Sequence, residues 1–396
     1  MKKNNFCAVC KKKLKHFLNL GKHPCADTFL KKKKLAINLN KYPLVVGYCL
    51  CNHLTAIHKV SPNERYKKID YSYTSDNSPV SISHFSSIAK KIIKKFNIDK
   101  TKKIIEIGSN DGTFLKNIIG LSEAKVLGVD PSKNMCKIAN KKGVKSISTF
   151  FNHQNAIKLL ARYGRYDLLY GANVFNHIEN PHDFLKASKK IVKGSGIIIL
   201  EVPDLDLLLK RVGFDTIYHE HRNYYSKNSI KKLFHLNDLE IIKIENIDYM
   251  AGSLRIYAKN RKGYKRKFKK IKNIQNFIKF KNKIFQVKRK ILDFVEINKK
   301  NNKKIVGIGA ATKGNTLINF CNLNYGDINC VLEKSPLKIG KFLPGSGIKI
   351  LNENKVKRFD SAIILPWNIT KHLYKKFLQK SKISYISIPK IVKNLK

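Results

Sequence analysis

No part of the 396-residue chain is an apolar run long enough to cross a bilayer, which excludes a helix-spanning membrane protein. It shows no secretory leader pattern either, and the expectation is a soluble protein of the cytoplasm. Acidic residues are scarce: 27 Asp and Glu stand against 80 Lys and Arg, a formal charge of +53. Taken alone, such a surplus points towards a phosphate backbone. The lysines, however, recur in every segment among many Asn and Ile, and not on one arm or tail. That spread reads as a composition bias laid over exposed positions, so nucleic acid is not the expected partner. Small anionic substrates would still be drawn in by the field. The length suggests two or three domains.

What the chain does have is an ordered unit at Ile104 to Leu115. Ile104-Ile105-Glu106-Ile107 reads as a buried strand, Gly108-Ser109-Asn110-Asp111-Gly112 as a small-residue turn, and Thr113-Phe114-Leu115 as a helix start. Gly108 and Gly112 allow backbone to approach a ligand closely. A second strand, Val126 to Asp130, ends in a carboxylate, where a parallel-sheet nucleotide site needs an acid for ribose hydroxyls. Glu106 and Asp111 would repel a pyrophosphate but suit a cationic ligand that carries an amino acid and an adenosine. S-adenosylmethionine fits that description. The expected cofactor set is Glu106, Gly108, Asn110, Asp111, Gly112, Asp130 and Pro131, joined by Asn173 from a later strand.

Four of the eight cysteines fall early in two close pairs, Cys7/Cys10 and Cys49/Cys51. In a reducing compartment such pairs read as metal ligands before disulfides. Two tight turns that each supply two thiolates satisfy a tetrahedral zinc ion, in a closed structural site. The second pair is one residue short of the usual spacing, which leaves His53 as a substitute for Cys49 and Cys25 as a weaker candidate.

Asp70 to Pro79 is polar and tyrosine-bearing, of a composition found over active sites and in plain linkers alike. Ser83 to Phe96 returns to helical spacing. Tyr166 to Asn173 and Gly196 to Pro203 read as further buried strands flanking an amphipathic Phe184–Val192, the alternation of a doubly wound fold. Asn173, His177 and Glu201 would then face one crevice beyond the strand ends.

Phe214 to Tyr225 packs two histidines, carboxylates and three tyrosines into a short span that is costly to bury for packing alone. Read as extended, it puts His219 and His221 on one side and Tyr218 and Glu220 on the other. A metal site from the two histidines lacks an evident third ligand, so acid–base chemistry is the preferred reading.

Lys262 to Lys304 is lysine-rich and helical, with Phe277, Ile284, Ile291 and Phe294 on one side, and reads as a connector between domains. After it, Lys304 to Thr316 repeats strand, glycine turn and helix, now with a lysine and no acid in the turn. Backbone amides at a helix start plus one cation make a diphosphate cradle, assigned to Lys313, Gly314, Asn315 and Thr316. Ile328 to Glu333 and Ser361 to Asn368 read as further parallel strands.

Taken together these residues resemble the sugar C-methyltransferase family that acts on nucleotide-linked keto-deoxysugars. The resemblance is carried, in order, by the cysteine pairs, Glu106 to Gly112, Tyr218-His219-Glu220-His221, Gly252-Ser253-Leu254-Arg255, Lys313 to Thr316 and Leu365-Pro366-Trp367-Asn368. The shortened second cysteine pair is the one departure. The resemblance implies an α/β protein with a small N-terminal zinc-binding segment (1–65), a central Rossmann-like class I methyltransferase domain (66–245) and a C-terminal Rossmann-like substrate-binding domain (246–396). It implies a nucleotide-diphosphate keto-sugar as substrate and S-adenosylmethionine as methyl donor. It further implies His221 as the base, Tyr218 and Glu220 as its support, His177 beside the sugar, and Tyr71 and Tyr73 in a tyrosine loop that closes on the substrate. An RNA methyltransferase, suggested by charge and zinc, gives no reason for the second glycine–lysine turn. A non-catalytic nucleotide-sugar binder on the same fold is the other alternative.

Overall fold

The computed structural model describes residues 3–61, 72–76, 78–261, 275–356, 358–379 and 383–395. Tyr71 lies outside them.

The N-terminal segment is an antiparallel sheet of β1 (Lys15–His23), β2 (Tyr42–Cys49) and β3 (His53–Ala56). Its fourth strand, β9 (Asn223–Tyr225), comes from far along the chain, directly after the His219–His221 stretch. A segment this small cannot bury a core of its own, and the borrowed strand fastens it to the central domain.

Seven strands make the central sheet: β4 (Lys103–Ile107), β5 (Lys125–Asp130), β6 (Ser146–Ser148), β7 (Tyr166–Ala172), β8 (Val192–Pro203), β10 (Leu239–Ile247) and β11 (Ser253–Asn260), in the order β10-β11-β8-β7-β4-β5-β6. All run parallel except β11, which is antiparallel to both neighbours. Helices cover both faces, so Ile104, Ile105, Leu168, Leu169, Ile198 and Ile199 are all at most 1% exposed, as unbroken apolar runs in parallel strands should be. This is the Rossmann-like class I methyltransferase arrangement. The expected boundary at 245/246 falls inside β10, and β11 pairs with β8, so the central sheet itself runs on to Asn260. The reversed strand reaches the sheet by a hairpin, which local periodicity does not distinguish from the start of a new domain.

The C-terminal sheet is all parallel: β12 (Ile305–Ile308), β13 (Cys330–Glu333), β14 (Ile350–Asn352), β15 (Ser361–Ile364) and β16 (Ser384–Ile386), in the order β14-β13-β12-β15-β16. The order reverses between β12 and β15, the position where such sheets open a crevice. Preceding it, the helix Gln275–Lys300 buries Phe277, Phe280, Ile284, Val287 and Ile291, and Phe294 is only partly covered. Phe277 stacks on Tyr48 of β2 with ring centroids 5.3 Å apart. The helix is thus more than a connector: one core cluster runs from Leu18 and Val46 through Phe280 to Ile318 and Ile363. Among the described residues no helix is long and apolar enough to cross a membrane.

Candidate active site

Cys7, Cys10, Cys49 and Cys51 bring their sulfurs within 4.8 Å of one another. A tetrahedral zinc ion at about 2.3 Å from each thiolate spaces sulfurs by about 3.8 Å, and the Cys7–Cys51 and Cys10–Cys49 sulfurs stand 3.7 and 3.3 Å apart. The set therefore fits zinc. The short second pair works because it forms the β2–β3 hairpin turn itself, with Cys49 opposite His53 and Asn52 at φ 59°. His53 is no substitute ligand, since it is fully buried with Nε2 3.1 Å from Asn223 Oδ1, and Cys25 lies outside the cluster. Asn228 Nδ2 donates to Cys51 O and Ser226 Oγ to Asn52 O, both from the chain just past β9. Stripping the metal, or replacing Cys10 with Ser, is expected to lower the thermal unfolding midpoint by on the order of 10 °C, checked by calorimetry against metal content.

The carboxyl ends of β4, β5 and β7 open into a cavity of about 1090 Å³ that extends to the C-terminal domain. Gly108 follows β4 at φ 71°, and a Cβ there would stand 2.8 Å from Val174, so only glycine lets the turn pass. Asn110 N donates to Asp130 Oδ2 at 3.0 Å and Ser132 N to Asp130 Oδ1 at 2.8 Å. Burial pushes the Asp130 carboxyl up to about 6 even against those two amides. Asp130 lines the cavity, as do Pro131, Asn173 and the apolar wall of Phe150, Phe151 and Val129. Among the described residues, buried Glu106 Oε2 and Asn173 Oδ1 find no hydrogen-bond partner, and burial, Asp111, Asp130 and Glu201 hold Glu106 well above the carboxylate range. Such a crevice, with a carboxylate at the strand end for ribose and an apolar wall for the adenine, fits S-adenosylmethionine.

Several expected cofactor residues do not line the cavity. Asp111 is fully buried, 2.7 Å from Lys142 Nζ and 2.7 Å from Thr113 Oγ1, and so holds the turn to the neighbouring helix. Gly112, at φ 78°, caps the helix Thr113–Ser122 against Ala139 and Val144. Glu106 sits beneath the crevice, and so does Glu201, which is buried against Arg255 Nε (2.6 Å) and His84 Nε2 (2.7 Å). That network also explains Arg255 in the Gly-Ser-Leu-Arg stretch: a buried carboxylate needs a paired cation. His84 stacks on Tyr249 at 3.7 Å, and Tyr249 lines the cavity beside Tyr73. The 72–75 stretch is clasped to the crevice by Asn110, which accepts from Ser75 N and donates to Tyr73 O, both at 3.0 Å.

On the opposite wall Tyr218, Glu220, His221 and His177 all reach the cavity, whereas His219 does not. The extended reading of this segment is corrected: His221 N bonds Tyr218 O in a turn, which swings His219 away to Tyr42 O at 3.2 Å. A His219–His221 metal pair is thereby lost, and the four cysteines are the only metal-competent group among the described residues. His221 Nδ1 lies 2.7 Å from Thr216 O, which can only accept, so the proton sits on Nδ1. Nε2 then presents its lone pair to Tyr218 Oη at 2.7 Å. Burial holds the imidazole down at about 4, leaving it neutral at physiological pH. The His177 ring stands edge-on to it at 4.7 Å.

At the far end, Gly309 (φ 79°), Ala310, Ala311, Thr312 and Lys313 line the cavity. Gly314, Asn315 and Thr316 do not, which corrects the expected cradle: they lie inside the helix Thr312–Phe320, Gly314 packed under Leu365 and Asn315 bonded to Ala26 O. Lys313 Nζ meets Asn368 Oδ1 and lies 4.3 Å over the Trp367 ring, whose Nε1 donates to buried Asp215 at 2.8 Å. Burial lowers Lys313 to about 8, with Asp215 partly opposing. Two cavity residues, Glu333 and Lys338, were not among those expected. Glu333 ends β13, accepts from Ala310 N (2.8 Å) on one oxygen and from Lys334 N and Ser335 N on the other, and lines the cavity. Its place at a strand end after a glycine turn repeats that of Asp130, and this was the available signal. Lys338, 6% exposed, donates to Ala310 O at 2.8 Å.

Three family models match the sequence: a zinc binding domain over residues 7–66, a methyltransferase domain over 83–244 and a C-methyltransferase C-terminal domain over 250–386. C-methyltransferase NovU of Streptomyces niveus is 27% identical over 390 residues, which cover 94% of this chain and 92% of that protein. A ubiquinone biosynthesis O-methyltransferase of Bartonella bacilliformis is 22% identical over 207 residues, 49% of this chain and 77% of its own. Among solved structures, PH0226 protein from Pyrococcus horikoshii overlays at a TM-score of 0.39 with 18% identity, covering 50% of this chain and 99% of the other.

Proposed function

Since the chain belongs to the S-adenosylmethionine-dependent C-methyltransferase family, we propose that it methylates a carbon beside the ketone of a nucleotide-linked keto-deoxysugar, in the cytoplasm. One observation carries the reading: a single cavity joins the donor crevice, the Tyr218–His221 pair and the Gly309–Lys313 turn. An acceptor with a reactive sugar at one end and a nucleoside diphosphate at the other spans such a space.

The ketone acidifies the neighbouring carbon, and a base that takes its proton leaves an enolate. In this reading His221 Nε2 is the final proton acceptor. The Tyr218 hydroxyl takes the carbon's proton as it passes its own to Nε2, so one proton enters the pair and none is lost. Nδ1 stays bound to Thr216 O and fixes the ring throughout. Glu220, buried on the same cavity wall, would support the pair, and His177 would border the sugar. When bound, S-adenosylmethionine supplies an electrophilic methyl group on sulfonium. Asp130 would orient the donor through its ribose. Tyr73 and Tyr249 would close the donor crevice against water, and holding both reactants in line gives much of the rate gain. Glu333 would take the acceptor's ribose, with Lys313 and Lys338 on its diphosphate.

Incubating keto-sugar nucleotides with the donor should give a mass gain of one methylene on the sugar, read by mass spectrometry. No gain with any keto-sugar nucleotide, alongside transfer to another substrate class, would refute the reading. The pH profile follows from two groups. Donor affinity should fall as pH drops below about 6, where Asp130 takes a proton. Acceptor affinity should fall as pH rises through about 8, where Lys313 loses its charge. Titration calorimetry at several pH values separates the two limbs.

A further inference from the structure

Asp27 comes from the zinc-bearing segment, in the stretch between β1 and the helix Lys33–Ile37, yet it is 9% exposed on the wall of the central cavity. Its Oδ1 accepts from Ser72 Oγ at 3.1 Å and from Thr312 Oγ1 at 2.9 Å, and its Oδ2 from Ser72 N at 3.4 Å. Its own amide donates to Glu220 Oε1 at 3.3 Å. The surrounding stretch is anchored on both sides: Phe342 N donates to Leu30 O at 2.8 Å, and Lys338 Nζ lies 4.9 Å over the Phe29 ring. A carboxylate is costly to bury unless it is hydrogen-bonded. Here its bonds reach two other parts of the chain: the stretch that meets the donor crevice through Ser75 and Asn110, and the residue that opens the acceptor-end helix.

We propose that Asp27 is a positioning residue that couples the two ends of the cavity, holding Ser72–Ser75 in register with Thr312 and Glu220. Order imposed at the donor end is then passed to the acceptor end, and by linkage the reverse holds equally. The acceptor half of this inference rests on the proposed function. The donor half does not.

The test uses the full zinc-loaded chain, with S-adenosylhomocysteine as donor-side probe and UDP and dTDP as acceptor-side probes. In the parent chain, the donor-side probe should tighten nucleotide binding roughly fivefold or more. Asp27→Ala should bring that factor close to one, and should speed amide exchange at residues 72–76 at least about tenfold. Asp27→Asn, which keeps an oxygen for the two hydroxyls, should recover part of the coupling, a result that mere loss of packing would not give. If Asp27→Ala loses zinc or stability, Thr312→Val removes one hydroxyl only and must by itself weaken the coupling. Unchanged coupling and unchanged protection at 72–76 in these variants would overturn the assignment. If the parent binds neither nucleotide, the proposed acceptor fails, and the exchange measurement alone decides on Asp27.

Discussion

Replacing His221 with Ala is expected to lower turnover by roughly a thousandfold, the range of a positioned general base, while zinc content and donor binding stay at parent values. The two ring nitrogens bond outside the donor crevice: Nδ1 is on Thr216 O and Nε2 faces Tyr218 Oη. What is lost is the proton acceptor alone. Tyr218→Phe removes the relay hydroxyl but keeps the ring packed 4.0 Å from the imidazole, so its loss should be smaller, roughly tenfold to a hundredfold. Because the His221 pKa is lowered to about 4, its neutral form persists across the working range, and its own titration should not set the acid limb. Single-turnover rates with saturating donor and acceptor check the pair. A His221→Ala chain with near-parent turnover would remove His221 from the mechanism.

The second large effect is at Asp130. Asp130→Ala should weaken binding of S-adenosylmethionine at least about a hundredfold, since hydrogen bonds to a charged group contribute about 1.5–3 kcal/mol each and ribose offers two hydroxyls. The same variant leaves the Asn110 and Ser132 amides without their carboxylate, so the turn itself should loosen. Asp130→Asn separates the two effects. It keeps one oxygen for an amide but opposes the other amide with its own NH₂, and should bind donor more weakly than the parent while melting near it. Calorimetric titration beside thermal unfolding reads both quantities. Donor affinity unchanged in either variant would place the nucleoside elsewhere.

The central crevice was legible in the sequence because its signals are local. Buried parallel strands read as apolar runs, Gly108 marks a turn that excludes a side chain, and Asp130 closes its strand at the spacing a ribose acid requires. The zinc set was legible for the same reason, although only the hairpin geometry decides between Cys49 and His53. What failed did so for physical reasons. Asp111 carries the sign expected of a ligand acid, but its charge is spent on Lys142, a partner 31 residues away. His219 and His221 look equivalent until a turn at Tyr218 separates them. Gly314 to Thr316 read as a cradle, yet helix Thr312–Phe320 begins before them and turns them inward. Asp27 and Lys338 could not be read at all, because a buried charge acquires meaning only from the distant residues that fold around it.

The atom that receives the methyl group distinguishes enolate chemistry from every alternative most directly. With a methyl-labelled donor and a keto-sugar nucleotide that is turned over, carbon NMR of the product should show the label bonded to the carbon beside the ketone, with that carbon's original hydrogen released to solvent. The same label found on oxygen or nitrogen, or on carbon with that hydrogen retained, would contradict it.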